Sequence, residues 1–308
     1  EKRKPQDGRI KLSVGGKPID YRVSSLPTLF GAKIVLRLLD SSNLELDMTK
    51  LGFEAKQLKV FQDGIHQPYG MCLVTGPTGS GKTTTLYSAI AELNQVGTNI
   101  STAEDPVEFN LEGINQVNVK KEVGLTFASA LKAFLRQDPD ILLVGEIRDT
   151  VSAEITLRAA MTGHLVLSTL HANNAISSVL RLIDIGVDHF LVASALRAVV
   201  AQRLVRRLCN KCKLPANNIA EYVDLIDDQY RTVSFYQAGG CSQCFNSGYL
   251  GRIGVFEYLE ITEDMASALR VKDISLFSSL ALQSTSYQSL NTSALALALG
   301  GDTSLEEI

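Results

Sequence analysis

The run Gly76-Pro77-Thr78-Gly79-Ser80-Gly81-Lys82-Thr83-Thr84 satisfies the pattern G-x-x-x-x-G-K-[ST]. An apolar run of strand length, residues 71–75, precedes it and a segment of helical period follows, which is the context such a loop needs. Glycines let successive backbone N–H groups turn inward on phosphate oxygens, and the start of the helix adds partial positive charge. The pattern assigns Lys82 to the β and γ phosphates of ATP and the Thr83 hydroxyl to Mg²⁺.

A phosphate cradle hydrolyses nothing without a group that orients water. Ile141-Leu142-Leu143-Val144-Gly145-Glu146 ends an apolar run in an acid, and an acid at the carboxyl end of a strand points into the crevice where ligands bind. Glu146 is therefore the candidate general base. Gly145 stands where many such acids are preceded by Asp, so part of any metal coordination must come from elsewhere. Glu104-Asp105-Pro106-Val107-Glu108 follows another strand-like run and offers three carboxylates, with Glu104 and Glu108 as candidate metal and water ligands. A solvated acidic turn is the alternative. His171, directly after the run 165–170, is placed to donate to the γ-phosphate; a purely structural histidine is the other reading.

Two close cysteine pairs, Cys209-x-x-Cys212 and Cys241-x-x-Cys244, lie 28 residues apart. Four thiolates make a closed, structural Zn²⁺ site with no position left for reactive water. Disulfides are the competing arrangement, disfavoured by the reducing surroundings in which an ATP-binding protein without a signal sequence works. Cys72, inside the run before the phosphate loop, reads as a small buried hydrophobe.

These residues need a scaffold. Apolar runs at 71–75, 99–103, 141–147 and 165–170 alternate with segments of helical period, as in a parallel α/β sheet covered on both faces. Phe127, Ala130, Leu131, Phe134 and Leu135 recur at three and four residues and predict one apolar helix face. Residues 189–208 read as a last amphipathic helix carrying Arg197, Arg203, Arg206 and Arg207, either a solvated face or a basic partner surface. Short β-rich runs at 10–14 and 21–24, with turns at Asp7-Gly8 and Gly15-Gly16, predict part of a small N-terminal α/β or β domain. The polar stretch around Ser41-Ser42-Asn43 predicts a linker.

The 308 residues suffice for about two domains. Hydrophobic residues at 45% and charged residues at 20% describe a globular chain. A net charge of −3 and the absence of Trp speak against a polyanion-gripping channel, so nucleic acid is not an expected partner. No apolar run reaches the roughly 20 residues that cross a bilayer. Starting at Glu1 without Met or an apolar signal core, the chain is expected to be cytoplasmic and a fragment of something longer.

Taken together, the motifs resemble the secretion ATPases that power type II secretion and type IV pilus assembly. Thr102-Ala103-Glu104-Asp105-Pro106-Val107-Glu108 is similar to that family's Asp box, Leu135 to Asp140 running into Gly145-Glu146-Ile147-Arg148-Asp149 to its Walker B region, and Thr162-Gly163-His164-Leu165 through His171 to its His box. The resemblance runs over nearly the whole chain. It implies a RecA-like ATPase core at 51–205, the end of a small PAS-like domain at 1–50, a tetra-cysteine zinc subdomain at 206–255 and a helical subdomain at 256–308. It also implies a homo-hexamer at the cytoplasmic face of the inner membrane, working with platform and linker proteins of a pilus or secretion machine. Arg22 and Arg37 match the arginines with which the family's small domain completes the nucleotide site, unless both are ordinary surface residues. The four cysteines favour assembly over retraction. A RecA-like nucleic-acid translocase is the rival reading.

Overall fold

The structure, a computed structural model, describes residues 3–14, 17–39, 46–216, 222 and 233–308. Three strands, β1 (Gln6–Val14), β2 (Lys17–Thr28) and β3 (Gly31–Leu39), form an antiparallel sheet in that order. Gly15, Gly16 and the linker residues Ser41, Ser42 and Asn43 lie outside the described residues. Met48 and Phe53 are already buried in the core of the larger body.

That body follows in the order α1 (Ala55–Ile65), β4 (Gly70–Thr75), α2 (Lys82–Leu93), β5 (Ile100–Glu104), β6 (Asn115–Asn118), α3 (Phe127–Phe134), β7 (Ile141–Val144), α4 (Thr150–Met161), β8 (Leu165–Leu170), α5 (Ala175–Asp184), α6 (His189–Ala195), β9 (Leu196–Leu208), β10 (Leu214–Pro215), β11 (Tyr236–Gln237), β12 (Tyr249–Glu260), α7 (Glu263–Arg270), α8 (Ile274–Gln283) and α9 (Leu290–Leu299). Among the described residues, seven strands form one sheet in the order β12-β9-β4-β8-β7-β5-β6. All neighbours run parallel except β12, which pairs antiparallel with β9 at the edge.

The continuous apolar character of the central strands follows from burial on both faces. Along β4, Met71 and Leu73 join a core shared with α3 to α8, whereas Cys72 and Val74 join a second core with α1 and α2. The mixed α/β fold with a parallel sheet is as the sequence predicts. The carboxyl ends of β4, β5, β7 and β8 therefore lie along one rim.

Residues 189–208 differ from expectation. The helix stops at Ala195, and Leu196–Leu208 is a strand between β4 and β12. A strand buried on both faces carries no alternation to separate it from a buried helix, and Val199, Val200 and Val205 favour the extended form. The arginines form no single basic face either. Arg197 lies over the Tyr69 ring, Arg203 donates to Asn173, Arg206 pairs with Glu307 and Arg207 with Asp302.

Among the described residues no helix is long and apolar enough to cross a membrane.

Candidate active site

The strand ends open on a cavity of about 830 Å³. One wall is the loop and helix start from Thr78 to Thr84; the rest of the lining includes Glu104, Asp105, Glu108, Glu146, Arg148 and His171, with Arg37, Leu204 and Arg252.

The cradle is shaped by what lies behind it. Gly76 and Gly81 have φ of 147° and 88°, and a Cβ on either would meet Gln202 of β9, at 2.4 Å from its carbonyl oxygen and 2.8 Å from Nε2 respectively. Only glycine satisfies both the backbone angle and the space. Gln202 is buried and accepts from the Thr85 hydroxyl at 2.9 Å, so the loop is seated on a fixed side chain. Lys82 Nζ donates to the carbonyls of Gly76 and Pro77, both at 2.9 Å. Burial holds its pKa below the usual lysine value, and nearby Arg203 acts the same way while Glu146 opposes them. Thr83 stands exposed on the cavity wall.

Across the cavity, Glu146 follows directly on β7. The Gly145 N–H donates to the Ala103 carbonyl (2.8 Å), the Thr169 hydroxyl to the Gly145 carbonyl (2.6 Å) and the Ile147 N–H to the Thr169 carbonyl (3.1 Å), so the strands on both sides pin the acid's backbone. A Cβ at position 145 would lie 3.1 Å from the Ala103 oxygen and 3.2 Å from the Glu104 Cα. That crowding explains why glycine, rather than Asp, precedes Glu146. Arg148 donates to Glu146 Oε1, and this bond holds its guanidinium above the ordinary arginine value. His171 Nε2 is 3.7 Å from Glu146 Oε2. A carboxylate, a guanidinium and an imidazole thus share one wall.

The acidic segment is less uniform than three equivalent ligands. Glu104 is only 4% exposed and accepts from Tyr87 OH (2.5 Å), Thr102 Oγ1 (2.6 Å) and Gln116 Nε2 (3.3 Å). It fixes Tyr87 in the cavity wall; burial and the Glu104 charge raise the phenol's pKa. Asp105 lies 3.5 Å from Arg148 and Glu108 3.9 Å from Arg22. Cations offset much of the repulsion that a bare acidic cluster would exert on a triphosphate.

The small sheet supplies some of those cations through its register. Arg9 pairs with Arg22, and Arg22 with Arg37, across the three strands, so the three stand side by side on one face. Like charges opposite one another are unfavourable unless anions or carbonyls face them. Here Arg9 donates to the carbonyls of Val107 and Glu108, Arg22 meets Glu108, and Arg37 lines the cavity.

At the far end of β9, Cys209, Cys212, Cys241 and Cys244 bring their sulfurs within 4.8 Å of one another, three of the pairs at 3.6 to 3.8 Å. No pair is bonded in this structure. A tetrahedron with metal–sulfur bonds of about 2.3 Å has edges of about 3.8 Å, so the thiols are spaced to hold Zn²⁺. N–H groups of Cys241 and Gly248 donate to the Cys244 sulfur and, against burial, bring that thiol down to about 6, whereas burial and the neighbouring sulfurs push Cys212 up to about 12.

Lys82, Glu104, Glu108, Glu146, His171 and Arg37 thus line one cavity, Arg22 reaches it only through Glu108, and the four cysteines gather elsewhere. Sequence reasoning missed Arg148, two residues past Glu146 and legible only as a charge. Gln202 and Leu204 were hidden by the reading of their strand as a helix. Tyr87, five residues into the helix, and Arg252, on the distant β12, gave no local signal.

Comparisons with known proteins agree over the whole chain. The family model described as "Type II/IV secretion system protein" matches residues 1–308. The chain is 52% identical over 321 residues to a type IV pilus assembly ATPase, PilB, of Myxococcus xanthus, covering 100% of this chain and 55% of that protein. It is 44% identical over 313 residues to type II secretion system protein E of Aeromonas hydrophila, covering 100% of this chain and 62% of that protein. It spans little more than half the length of these relatives. Among solved structures, the pilus retraction motor PilT with bound ADP matches with a TM-score of 0.72 and 28% identity, over 99% of this chain and 76% of that one.

Proposed function

Because the chain belongs to the type II/IV secretion system protein family, we propose that it is the motor part of an ATPase that drives type IV pilus assembly or type II protein secretion. The observation that carries this reading is the convergence of Lys82, Glu146 and His171 on one cavity. The 76–84 loop binds the triphosphate, Lys82 leaves its loop carbonyls for the β and γ phosphates, and Thr83 ligates Mg²⁺. When bound, Mg²⁺ would offset charge on the phosphates. Glu146 orients water for attack on the γ-phosphorus, and His171 beside it contacts the γ-phosphate. Glu104 and Glu108 shape the metal and water site from its edge. Arg22 and Arg37 bring positive charge from the small sheet.

The working form in this proposal is a homo-hexamer at the cytoplasmic face of the inner membrane, acting on platform and linker proteins. Assembly is favoured over retraction by the four cysteines and by the higher identity to the assembly ATPase than to the retraction motor. In this proposal residues 1–50 end a small domain, 51–205 form the ATPase core, 206–255 the zinc subdomain and 256–308 a helical subdomain, with β9 and β12 running across the two inner boundaries. ATP turnover per chain, measured against protein concentration with and without DNA, tests it. Turnover should rise steeply with concentration as rings form, with DNA changing nothing; turnover independent of concentration but stimulated by DNA would favour a nucleic-acid translocase.

The cysteine tetrad is assigned to structural Zn²⁺. Metal analysis of the reduced protein should find one zinc per chain. Since metal binding at such sites contributes folding free energy, Cys244→Ser is expected to lower the melting temperature by several degrees. A reduced chain free of metal and a variant as stable as wild type would contradict the assignment.

A further inference from the structure

His171 opens a four-residue turn whose backbone is held from three directions. The Ala172 N–H donates to Thr75 Oγ1 at 3.1 Å, and that hydroxyl donates to the Leu170 carbonyl at 3.0 Å, which ties the turn to the last residue before Gly76. Arg203 NH2 donates to the Asn173 carbonyl at 2.9 Å. At the end of the turn the Ala175 N–H, the first of α5, donates to Glu257 Oε1 at 2.6 Å.

Glu257 is 2% exposed in the middle of β12. Its other oxygen accepts from the N–H of Leu290, the first residue of α9, at 3.3 Å, and the Tyr287 phenol lies beside the carboxylate. Two helix starts, each with N–H groups that no helix satisfies, therefore converge on one buried carboxylate. Burying that charge costs free energy that an apolar side chain in the same slot would avoid. What the carboxylate adds is geometry: it fixes the start of α5, and through it the turn that presents His171, relative to α9.

Resting on the nucleotide-site reading above, we propose that Glu257 is a positioning residue that holds His171 at the γ-phosphate and links its placement to the C-terminal helix α9. Glutamine keeps the shape, but its amide oxygen can accept from only one of the two N–H groups while its NH₂ opposes the other. A displacement of the His171 turn by a fraction of an ångström is enough to slow the chemical step.

The test is a double-mutant cycle on steady-state ATP turnover by the full chain. Glu257→Gln should lower kcat about tenfold while leaving KM for ATP within about twofold. Added to His171→Ala it should cost nothing more, because the residue it positions is gone. Losses that multiply, or a Glu257→Gln defect beside a His171→Ala variant of wild-type rate, would overturn the assignment. If Glu257→Gln folds poorly, Tyr287→Phe removes one partner of the carboxylate and gives the same cycle, with an expected loss of about twofold to threefold; a multiplicative result there overturns it equally. Absence of turnover in the wild-type chain would instead sink the parent reading, so the two failures are distinguishable.

Discussion

Lys82→Ala should abolish measurable ATP binding. The ammonium is half-buried at the start of α2, and its present partners are two neutral loop carbonyls at 2.9 Å that a triphosphate can replace. Hydrogen bonds to charged groups contribute about 1.5–3 kcal/mol each, so losing two costs about 3–6 kcal/mol, a drop in affinity of roughly a hundredfold or more. The lowered pKa leaves room for a gain: a cation made uncomfortable by burial and by Arg203 is relieved when an anion arrives. Calorimetry with Mg-ATP reads the result. Affinity equal to wild type would remove Lys82 from the centre of the site.

Glu146→Gln should leave ATP bound and nearly unhydrolysed. The amide preserves the side chain's length and its oxygen can still accept from Arg148, so the wall keeps its shape while the charge that draws a proton from water is lost. Positioned general bases contribute about 10²–10⁴ in rate, so phosphate release is expected to fall at least a hundredfold with the dissociation constant for ATP changed only a few-fold. His171 and Arg148 remain in place in this variant, which isolates the carboxylate. Phosphate release at the wild-type rate would assign water activation elsewhere, Glu104, Asp105 and Glu108 being the other acids on the cavity wall.

The parts of the site that were legible in the sequence are those written by adjacency. The phosphate loop is one contiguous run between a strand and a helix, and Glu146 and His171 directly follow apolar runs, so local pattern places all of them on one rim. The tetrad was legible because each cysteine pair is a two-residue spacing on its own.

What stayed hidden depends on contacts far apart in the chain. Gly145 looks like a departure from a metal-binding pattern until the Ala103 carbonyl is seen 3.1 Å from where its Cβ would be. That Tyr87, Thr102 and Gln116 donate to the oxygens of Glu104 cannot be read from the acidic run it opens. The arginine row of the small sheet exists only through the pairing of Arg9, Arg22 and Arg37, which no spacing rule gives. Residues 196–208 were misread for a physical reason: burial on both faces erases the period of two that marks a strand, and four arginines spaced along the run imitate a helical face.

The central claim is that the glycine-lined cradle and the acid after β7 act on the same triphosphate. A structure of the Glu146→Gln chain with Mg-ATP measures this directly. The claim predicts the γ-phosphate one water molecule away from the side chain at 146, with Lys82 on the β and γ oxygens. A triphosphate seated in the loop but separated from position 146 by an intact layer of protein would contradict it.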